Sequence, residues 1–177
     1  MGEAFNVLKL SVMTGERVVA KLPTTLSEIK PLRTDVKGGA PERKIELSMQ
    51  HMRFLINGLG FRMDKIAFEV KRGAVEIWRI SNPTLGMPHP MHLHGFSFQV
   101  LERSSSPAQL SALARFGKGR MVSDLGWKDT VLVWPGETVR IAIDSSHDFA
   151  GDQTYLFHCQ NLEHEDAGMM VNFHVQA

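Results

Sequence analysis

Along much of this chain, apolar and polar residues alternate with a period of two residues rather than the 3.6 of a helix. The alternating apolar positions include Ile45, Leu47, Met49, Val75, Ile77, Val131, Val133, Val139, Ile141 and Ile143. Because successive side chains of a strand point to opposite faces of a sheet, this pattern predicts half-buried strands. Turn-forming sequences separate these segments at Asn57-Gly58, Lys71-Arg72-Gly73, Asn82-Pro83 and Pro135-Gly136-Glu137. Many short strands with turns between them indicate an all-β fold, a Greek-key sandwich or barrel.

The chain length of 177 residues corresponds to one ordinary domain. Residues 23–41 and 103–121 lack the alternation, so we expect two long loops, the second with one short helix near Gln109–Arg115. We therefore predict a single domain over residues 1–177. Residues 1–44 would form a leading strand and a linker-like excursion, and residues 45–177 would form the core.

The charge balance excludes some classes of partner. The chain has 20 Lys and Arg against 19 Asp and Glu, a formal net charge of +1. It therefore has no strong positive field, and nucleic acid is not expected as a partner. No run approaches the roughly 18 apolar residues of a membrane-spanning helix, and the first residues do not resemble a signal peptide. If the protein is exported, its signal lies upstream of this sequence.

The candidate chemistry lies in two short clusters that contain five of the eight histidines. The first is the segment His89-Pro90-Met91-His92-Leu93-His94, and the second is His158-Cys159-Gln160, followed by His164 and Met169. Imidazole, thiolate and thioether together form the ligand set that suits copper. Two histidines and a cysteine with a weak axial methionine define a blue-copper site, and His89, Cys159, His164 and Met169 supply that set.

Strand geometry predicts two metal environments rather than one. A strand starting near Thr154 places His158 and Gln160 on one face and Cys159 on the other. His92 and His94 also share a face, two residues apart. We expect one metal on the Cys159 side, and a second environment near His158, Gln160, His92 and His94.

Each of these residues also has an ordinary structural interpretation. A lone histidine usually lies at the surface or in a hydrogen bond, and this is our interpretation of His51, His147 and His174. A lone cysteine or a pair of methionines is usually part of a core. Chance rarely supplies two clusters in which histidine, cysteine and methionine all stand at ligand spacing, so the metal interpretation is favoured.

Three sequence stretches resemble the last cupredoxin domain of multicopper oxidases, close to the bacterial cuprous-oxidase, bilirubin-oxidase and laccase-like members. They are HPMHLHGFSFQVLER, GWKDTVLVWPGETVRI and YLFHCQNLEHEDAGMM, and the stretch from Phe54 to Gly58 is a further local match. The resemblance covers roughly residues 45–177. It implies a cupredoxin-like fold and a copper cofactor. The implied type 1 copper ligands are His89, Cys159, His164 and Met169, the implied type 2 ligand is His92, and the implied type 3 ligands are His94 and His158.

The chain departs from the family pattern in two ways. The family has His-Cys-His where this chain has Gln160 as the third member, and a carboxamide is a much poorer copper ligand than imidazole. The family's remaining cluster ligands come from two His-x-His pairs of an N-terminal domain, and this chain has one such pair, His92 and His94. The trinuclear oxygen site would therefore be incomplete in this chain, and we expect the isolated chain to be inactive.

The resemblance also implies partners and a location. The partners would be upstream cupredoxin domains of the same polypeptide, dioxygen, and a small reducing substrate such as a phenol, a bilirubin-like pigment or cuprous ion. The location would be extracytoplasmic, either periplasmic or secreted. Asp129, Glu165 and Asp166 are candidate outer-shell groups that would orient ligand imidazoles or place negative charge near a substrate. An exposed strand edge makes a dimer conceivable.

Three hypotheses remain open from sequence. The chain is the copper domain of a multicopper oxidase, an electron-transfer protein with type 1 copper only, or a non-catalytic relative that has lost the oxygen site. The second leaves His92, His94 and His158 unexplained. Gln160 favours the third, whereas the complete type 1 ligand set argues against it.

Overall fold

The computed structural model describes residues 8–11, 15, 21–25, 27–34 and 39–177. Within these residues ten strands form two five-stranded sheets. In chain order the strands are β1 (Glu42–Gln50), β2 (Arg53–Ile56), β3 (Ile66–Lys71), β4 (Val75–Ser81), β5 (His89–Leu93), β6 (Phe98–Ser104), β7 (Thr130–Val133), β8 (Thr138–Asp144), β9 (Gln153–Cys159) and β10 (Met170–Gln176). The all-β prediction is confirmed.

Each sheet combines antiparallel pairs with one parallel pair. The first sheet has the order β2-β1-β4-β8-β6, and β1 and β4 are parallel. The second has the order β3-β10-β9-β5-β7, and β10 and β3 are parallel. Strands that are neighbours in a sheet are often distant in sequence, as β5 and β9 are, so the topology brings the two histidine clusters side by side.

The inward faces of the two sheets form one apolar core. Its largest fully buried side chains include Trp78, Phe98, Phe157 and Phe173. The rings of Trp78 and Phe157 meet edge to face at 5.3 Å, and those of Trp78 and Phe173 at 5.5 Å. Full burial of each such side chain contributes about 1.5–3 kcal/mol to the stability of the folded state. Burial of these inward-facing residues therefore supplies much of the driving force for folding.

The helices differ from the prediction of a single short helix. Helix α1 spans Ala108–Ser111, which is shorter than the expected segment and begins one residue earlier. A 3₁₀ turn follows at Val122–Asp124, and a second helix, α2, spans Leu162–Asp166. Because α2 is only five residues long, it has no room for the 3.6-residue periodicity that reveals helices in sequence. None of the helices in the described part of the chain is long and apolar enough to cross a membrane.

The two predicted loops are fastened to the first sheet by polar side chains. Described residues before β1 form no strand, and much of the predicted leading strand lies outside the described residues. The Gln99 side chain on β6 accepts a hydrogen bond from the Leu32 N–H and donates one to the Lys30 carbonyl, at 2.9 and 2.8 Å. The second loop is held by Arg103, whose guanidinium contacts the Asp124 and Glu137 carboxylates at 2.8 and 2.9 Å.

The turn between β1 and β2 is a two-residue hairpin loop with an unusual composition. Both central residues have positive φ, 49° at His51 and 63° at Met52, although neither is glycine or asparagine. Such a loop matches the twist of the strands but normally uses Asn-Gly. The flanking register is regular, with Gln50 opposite Arg53 and Met49 opposite Phe54.

We expect the double substitution His51→Asn with Met52→Gly to raise the free energy of unfolding by about 1–2 kcal/mol. The left-handed region costs most residues about 1–2 kcal/mol, and glycine avoids that cost. Urea unfolding of the metal-free chain measures the change. Met52→Ala is the control, because alanine keeps the strain and should give no gain. Equal gains from both variants would contradict the explanation.

Candidate metal centre

Strands β5 and β9 lie side by side and carry most of the candidate ligands. They are antiparallel, with Met91 opposite Cys159 and His92 opposite His158. Partners across a sheet share a face, and neighbours along a strand do not. Cys159 therefore faces the core with Met91, and His158 faces the other side with His92.

The first group of potential ligands consists of His89, Cys159 and His164, and all three residues are buried. The Nδ1 atoms of His89 and His164 are 3.0 Å apart. The Cys159 Sγ atom lies 3.6 Å from the first of these nitrogens and 3.5 Å from the second. Two imidazole nitrogens and one sulfur thus form a compact triangle inside the domain, with the sulfur almost equally far from both nitrogens.

This triangle has the right size for a metal ion. The point equidistant from its three corners lies about 2 Å from each, close to the roughly 2.0–2.3 Å of metal–nitrogen and metal–sulfur bonds. Two imidazoles and one thiolate in a plane are the donor set of a blue-copper site. The residues present therefore fit a copper ion.

Helix α2 and the turn after it bring His164 and Met169 back to the end of β9. The His164 N–H donates to the Asn161 carbonyl at 3.0 Å, which starts the helix. The Met169 N–H then donates to the His164 carbonyl at 2.9 Å, and the Cys159 N–H donates to the Met169 carbonyl at 3.1 Å. Met169 is fully buried in the same core cluster as Cys159. His164 therefore lies within helix α2 and Met169 follows its end.

The second group consists of His92, His94 and His158, whose potential donor atoms all lie within 4.8 Å of one another. The Nε2 atoms of His94 and His158 are 3.0 Å apart. The His92 ring centroid lies 4.9 Å from that of His94 and 5.4 Å from that of His158. Three imidazoles therefore converge on the face of β9 opposite Cys159.

Hydrogen bonds orient the imidazoles of the second group. The His92 Nδ1 atom lies 3.0 Å from the Asp129 carbonyl and 3.0 Å from the Thr130 Oγ1 atom. The His158 Nδ1 atom lies 3.0 Å from the Cys159 carbonyl. When these nitrogens carry the proton and donate it, the Nε2 atoms keep the lone pairs that bind metals. Asp129 thus contacts His92 through its main-chain carbonyl and not through the carboxylate that the sequence analysis considered. The contact with the Thr130 hydroxyl was not predicted.

The remaining predicted residues lie at the edge of the two groups. The Glu165 Oε2 atom is 3.7 Å from the His158 Nδ1 atom. Asp166, also on α2, is exposed. Gln160 follows the end of β9 and is exposed, and its N–H donates to the Pro90 carbonyl at 2.8 Å. The sequence missed Asn161, whose Nδ2 atom lies 3.4 Å from the His164 Nε2 atom.

Burial disfavours the charged form of three ligand histidines and of the Cys159 thiol when no metal is bound. Burial, with the nearby His164, lowers the pKa of His89 to about 4. Burial also lowers the pKa of His164 and, together with His158 and His92, that of His94. Burial raises the pKa of the Cys159 thiol to about 11. Neutral imidazoles are ready to bind a metal, and a metal that takes the Cys159 sulfur must displace its proton.

The metal-free chain should lose stability as the pH falls from about 6.5 to 4. The pKa of His89 is lower in the folded state than in the unfolded state, so the unfolded state binds more protons in this window, and the free energy of unfolding decreases with falling pH. The contribution of His89 is about 3 kcal/mol at most. Urea unfolding at several pH values measures it, and His89→Asn should flatten the dependence. An unchanged dependence in that variant would contradict the assignment.

The other described histidines do not join either group. The ring of His147 lies among Phe96, Phe149 and Tyr155, with centroid distances of 6.0–6.4 Å. The Nε2 atom of His174 lies 3.3 Å from an Asp152 carboxylate oxygen. His51 is exposed in the hairpin turn.

Comparisons with known proteins place the chain in a family. The sequence profile of that family, described as multicopper oxidase, matches residues 29–177. A multicopper oxidase of Staphylococcus epidermidis is 31% identical over 175 residues, which cover 93% of this chain and 35% of that protein. A laccase of Bacillus subtilis is 41% identical over 115 residues, which cover 60% of this chain and 21% of that protein.

The same family appears among solved structures. The McoA multicopper oxidase from the hyperthermophile Aquifex aeolicus matches with a TM-score of 0.72 and 47% sequence identity, over 86% of this chain and 32% of that one. The chain spans about a third or less of the length of these relatives. These matches confirm the resemblance and the cupredoxin-like fold that the sequence suggested. The chain therefore belongs to the multicopper oxidase family, whose members are copper-dependent oxidoreductases.

Proposed function

We propose that this chain is the copper-binding C-terminal domain of a multicopper oxidase. It would be a single domain whose core, residues 45–177, holds one complete copper site and part of a second. His89, Cys159, His164 and Met169 would hold the type 1 copper. His92 would serve the type 2 copper, and His94 and His158 would serve type 3 copper.

This proposal rests on one observation. His158 and Cys159 are adjacent in β9 but belong to ligand groups on opposite faces of the strand. Copper in the first group would accept single electrons from a reducing substrate, because thiolate and imidazole ligands support such exchange. The peptide unit between His158 and Cys159 then links the two groups through a few covalent bonds. A domain that only transferred electrons between proteins would have no use for the second group.

Partners follow from the incomplete second group. His158 is buried, but His92 and His94 are at least partly exposed, and upstream cupredoxin domains of the same polypeptide would add further ligands on their side. We propose dioxygen as the final electron acceptor and a phenol, a bilirubin-like pigment or cuprous ion as the reductant. An extracytoplasmic location belongs to the same proposal.

The test is to add cupric ion to the purified chain and record its visible spectrum. We expect an intense blue band from charge transfer between the Cys159 thiolate and copper. His89→Ala should abolish the band, and His174→Ala, a histidine outside both groups, should leave it unchanged. A colourless wild-type protein with copper bound would overturn the proposal.

A second candidate function rests on Gln160. A relative that keeps the electron-accepting copper but has lost oxygen reduction would tolerate a weak ligand at this position. We expect Gln160→His, in the longer protein with its upstream domains, to raise the rate of oxygen uptake about tenfold or more, as adding a ligand to an incomplete site should. Oxygen-electrode measurements with a phenolic reductant check this. An unchanged rate would show that Gln160 does not limit the oxygen site.

A further inference from the structure

Phe54 is the aromatic side chain that covers the first ligand group. Its ring lies over the His164 imidazole, with a centroid distance of 4.0 Å and an interplanar angle of 30°. It also meets the His89 ring edge to face at 6.2 Å and 71°. Phe54 is only 8% exposed. One ring therefore contacts both imidazoles whose Nδ1 atoms form the triangle with Cys159.

The same ring lines an open cavity beside the ligand group. A cavity of about 360 Å³ lies beside β2 and is lined by both Phe54 and His89. Most of the other lining side chains are apolar, among them Met49, Pro83 and Met87. His164 is not among the lining residues, and the Phe54 ring covers one face of its imidazole.

The position of Phe54 is fixed by the β1–β2 hairpin, in which it is the second residue of β2. It is paired with Met49 across the strained two-residue turn at His51 and Met52. The backbone keeps this tight turn although two ordinary residues occupy the left-handed region. Strain of this kind persists where the surrounding structure requires the geometry. Here the geometry places the ring of Phe54 on His164.

We propose that Phe54 is a positioning residue: its ring holds the His164 imidazole and excludes water from that ligand. This rests on the proposed function, since it concerns the copper site assigned there. A cupric ion with two neutral imidazoles and one thiolate has a net charge of +1, and the cuprous form has none. An apolar, water-free surrounding disfavours the charged form, so the ring raises the reduction potential of the site.

The first test uses copper-loaded protein. Phe54→Leu keeps an apolar side chain but removes the aromatic face, and we expect the Cu(II)/Cu(I) equilibrium to shift about tenfold towards Cu(II), which is about 59 mV for one electron. Phe54→Tyr keeps the ring and should restore most of the potential. Phe173→Leu is the control, because Phe173 is also buried but packs against Trp78 and Tyr155. Equal potentials in the Phe54→Leu variant and the wild type would overturn the proposal.

The second test uses metal-free protein and does not depend on copper. A phenyl ring over an imidazole shifts the proton resonances of that imidazole upfield in NMR spectra. We expect this shift for His164 in the wild type and in Phe54→Tyr, and its loss in Phe54→Leu. His164 resonances that are the same in all three proteins would overturn the positioning role. If the wild type shows the shift but never turns blue with copper, the proposed function fails while the packing of Phe54 on His164 stands.

Discussion

Replacing Cys159 by serine should abolish the blue absorption band of the copper-loaded chain completely. The band requires a thiolate, and a serine hydroxyl of similar size does not ionise near neutral pH. Loss of a group that merely orients a ligand already costs about ten- to a hundredfold in metal affinity or activity. We therefore expect loss of the thiolate itself to reduce oxidase turnover of the longer protein at least a hundredfold.

The Cys159→Ser variant is compared with one control, Cys159→Ala. The side chain is fully buried, so the new hydroxyl costs about 1–3 kcal/mol of stability if it finds no partner. Cys159→Ala removes that uncertainty, since it adds no polar group, and it should also be colourless. His92, His94 and His158 are untouched in both variants, so copper retained at the second group should still be detected by metal analysis. A blue band in either variant would show that another sulfur binds the copper.

The same thiol makes copper loading a proton-releasing reaction. Burial raises the pKa of Cys159 to about 11, so the metal-free thiol keeps its proton at neutral pH. Binding through sulfur must expel that proton, and the neutral imidazoles add none. Wild-type chain should therefore release one more proton per copper bound than Cys159→Ser does.

The strands were predictable from sequence wherever one face is buried and the other is not. In β1 and β8 the alternation identified the buried residues Ile45, Leu47, Val139, Ile141 and Ile143, but Met49 is 53% exposed. β2, β3 and β10 were not identified. β2 has only four residues, too few to establish a period, and three consecutive side chains of β10 are buried, which obscures the alternation.

The ligand residues were predictable because their chemistry is unusual, but their supports were not. His89, Cys159 and His164 stand out as residue types that rarely cluster, and the structure brings their donor atoms together. Phe54, Thr130 and Asn161 are ordinary residues whose relation to these ligands depends on strand register and on helix α2. Asp129 is the clearest example. Its main-chain carbonyl contacts His92, and because every residue has such a carbonyl, the residue type could not reveal this contact.

A buried ion cluster around Arg103 was not predicted from the sequence. Arg103 on β6 forms two hydrogen bonds with Asp124 at 2.8 and 2.9 Å and one with Glu137 at 2.9 Å. The side chain of Glu137 is fully buried, and those of Arg103 and Asp124 are 3% exposed. The three residues come from β6, the 3₁₀ turn and the turn immediately before β8, so the cluster ties the second loop to the first sheet.

We expect Arg103→Leu to lower the free energy of unfolding by about 3–5 kcal/mol, because it leaves two carboxylates buried beside each other without a positive charge. Arg140→Leu is the matched control. Arg140 also bridges two carboxylates, those of Glu42 and Glu102, but its side chain is 31% exposed, and water would solvate the carboxylates left behind. Its loss should cost about 1 kcal/mol or less. Urea unfolding measures the loss of stability in both variants. Equal losses in Arg103→Leu and Arg140→Leu would contradict the prediction.

Adding Asp124→Asn and Glu137→Gln to Arg103→Leu distinguishes the two possible sources of that loss. Both amides are uncharged, so they remove the repulsion and most of the cost of burying charge, while the cavity left by the guanidinium remains. If unpaired charge is the cause, the triple variant should recover more than half of the lost stability. If it recovers none, the loss comes instead from packing of the long Arg103 side chain.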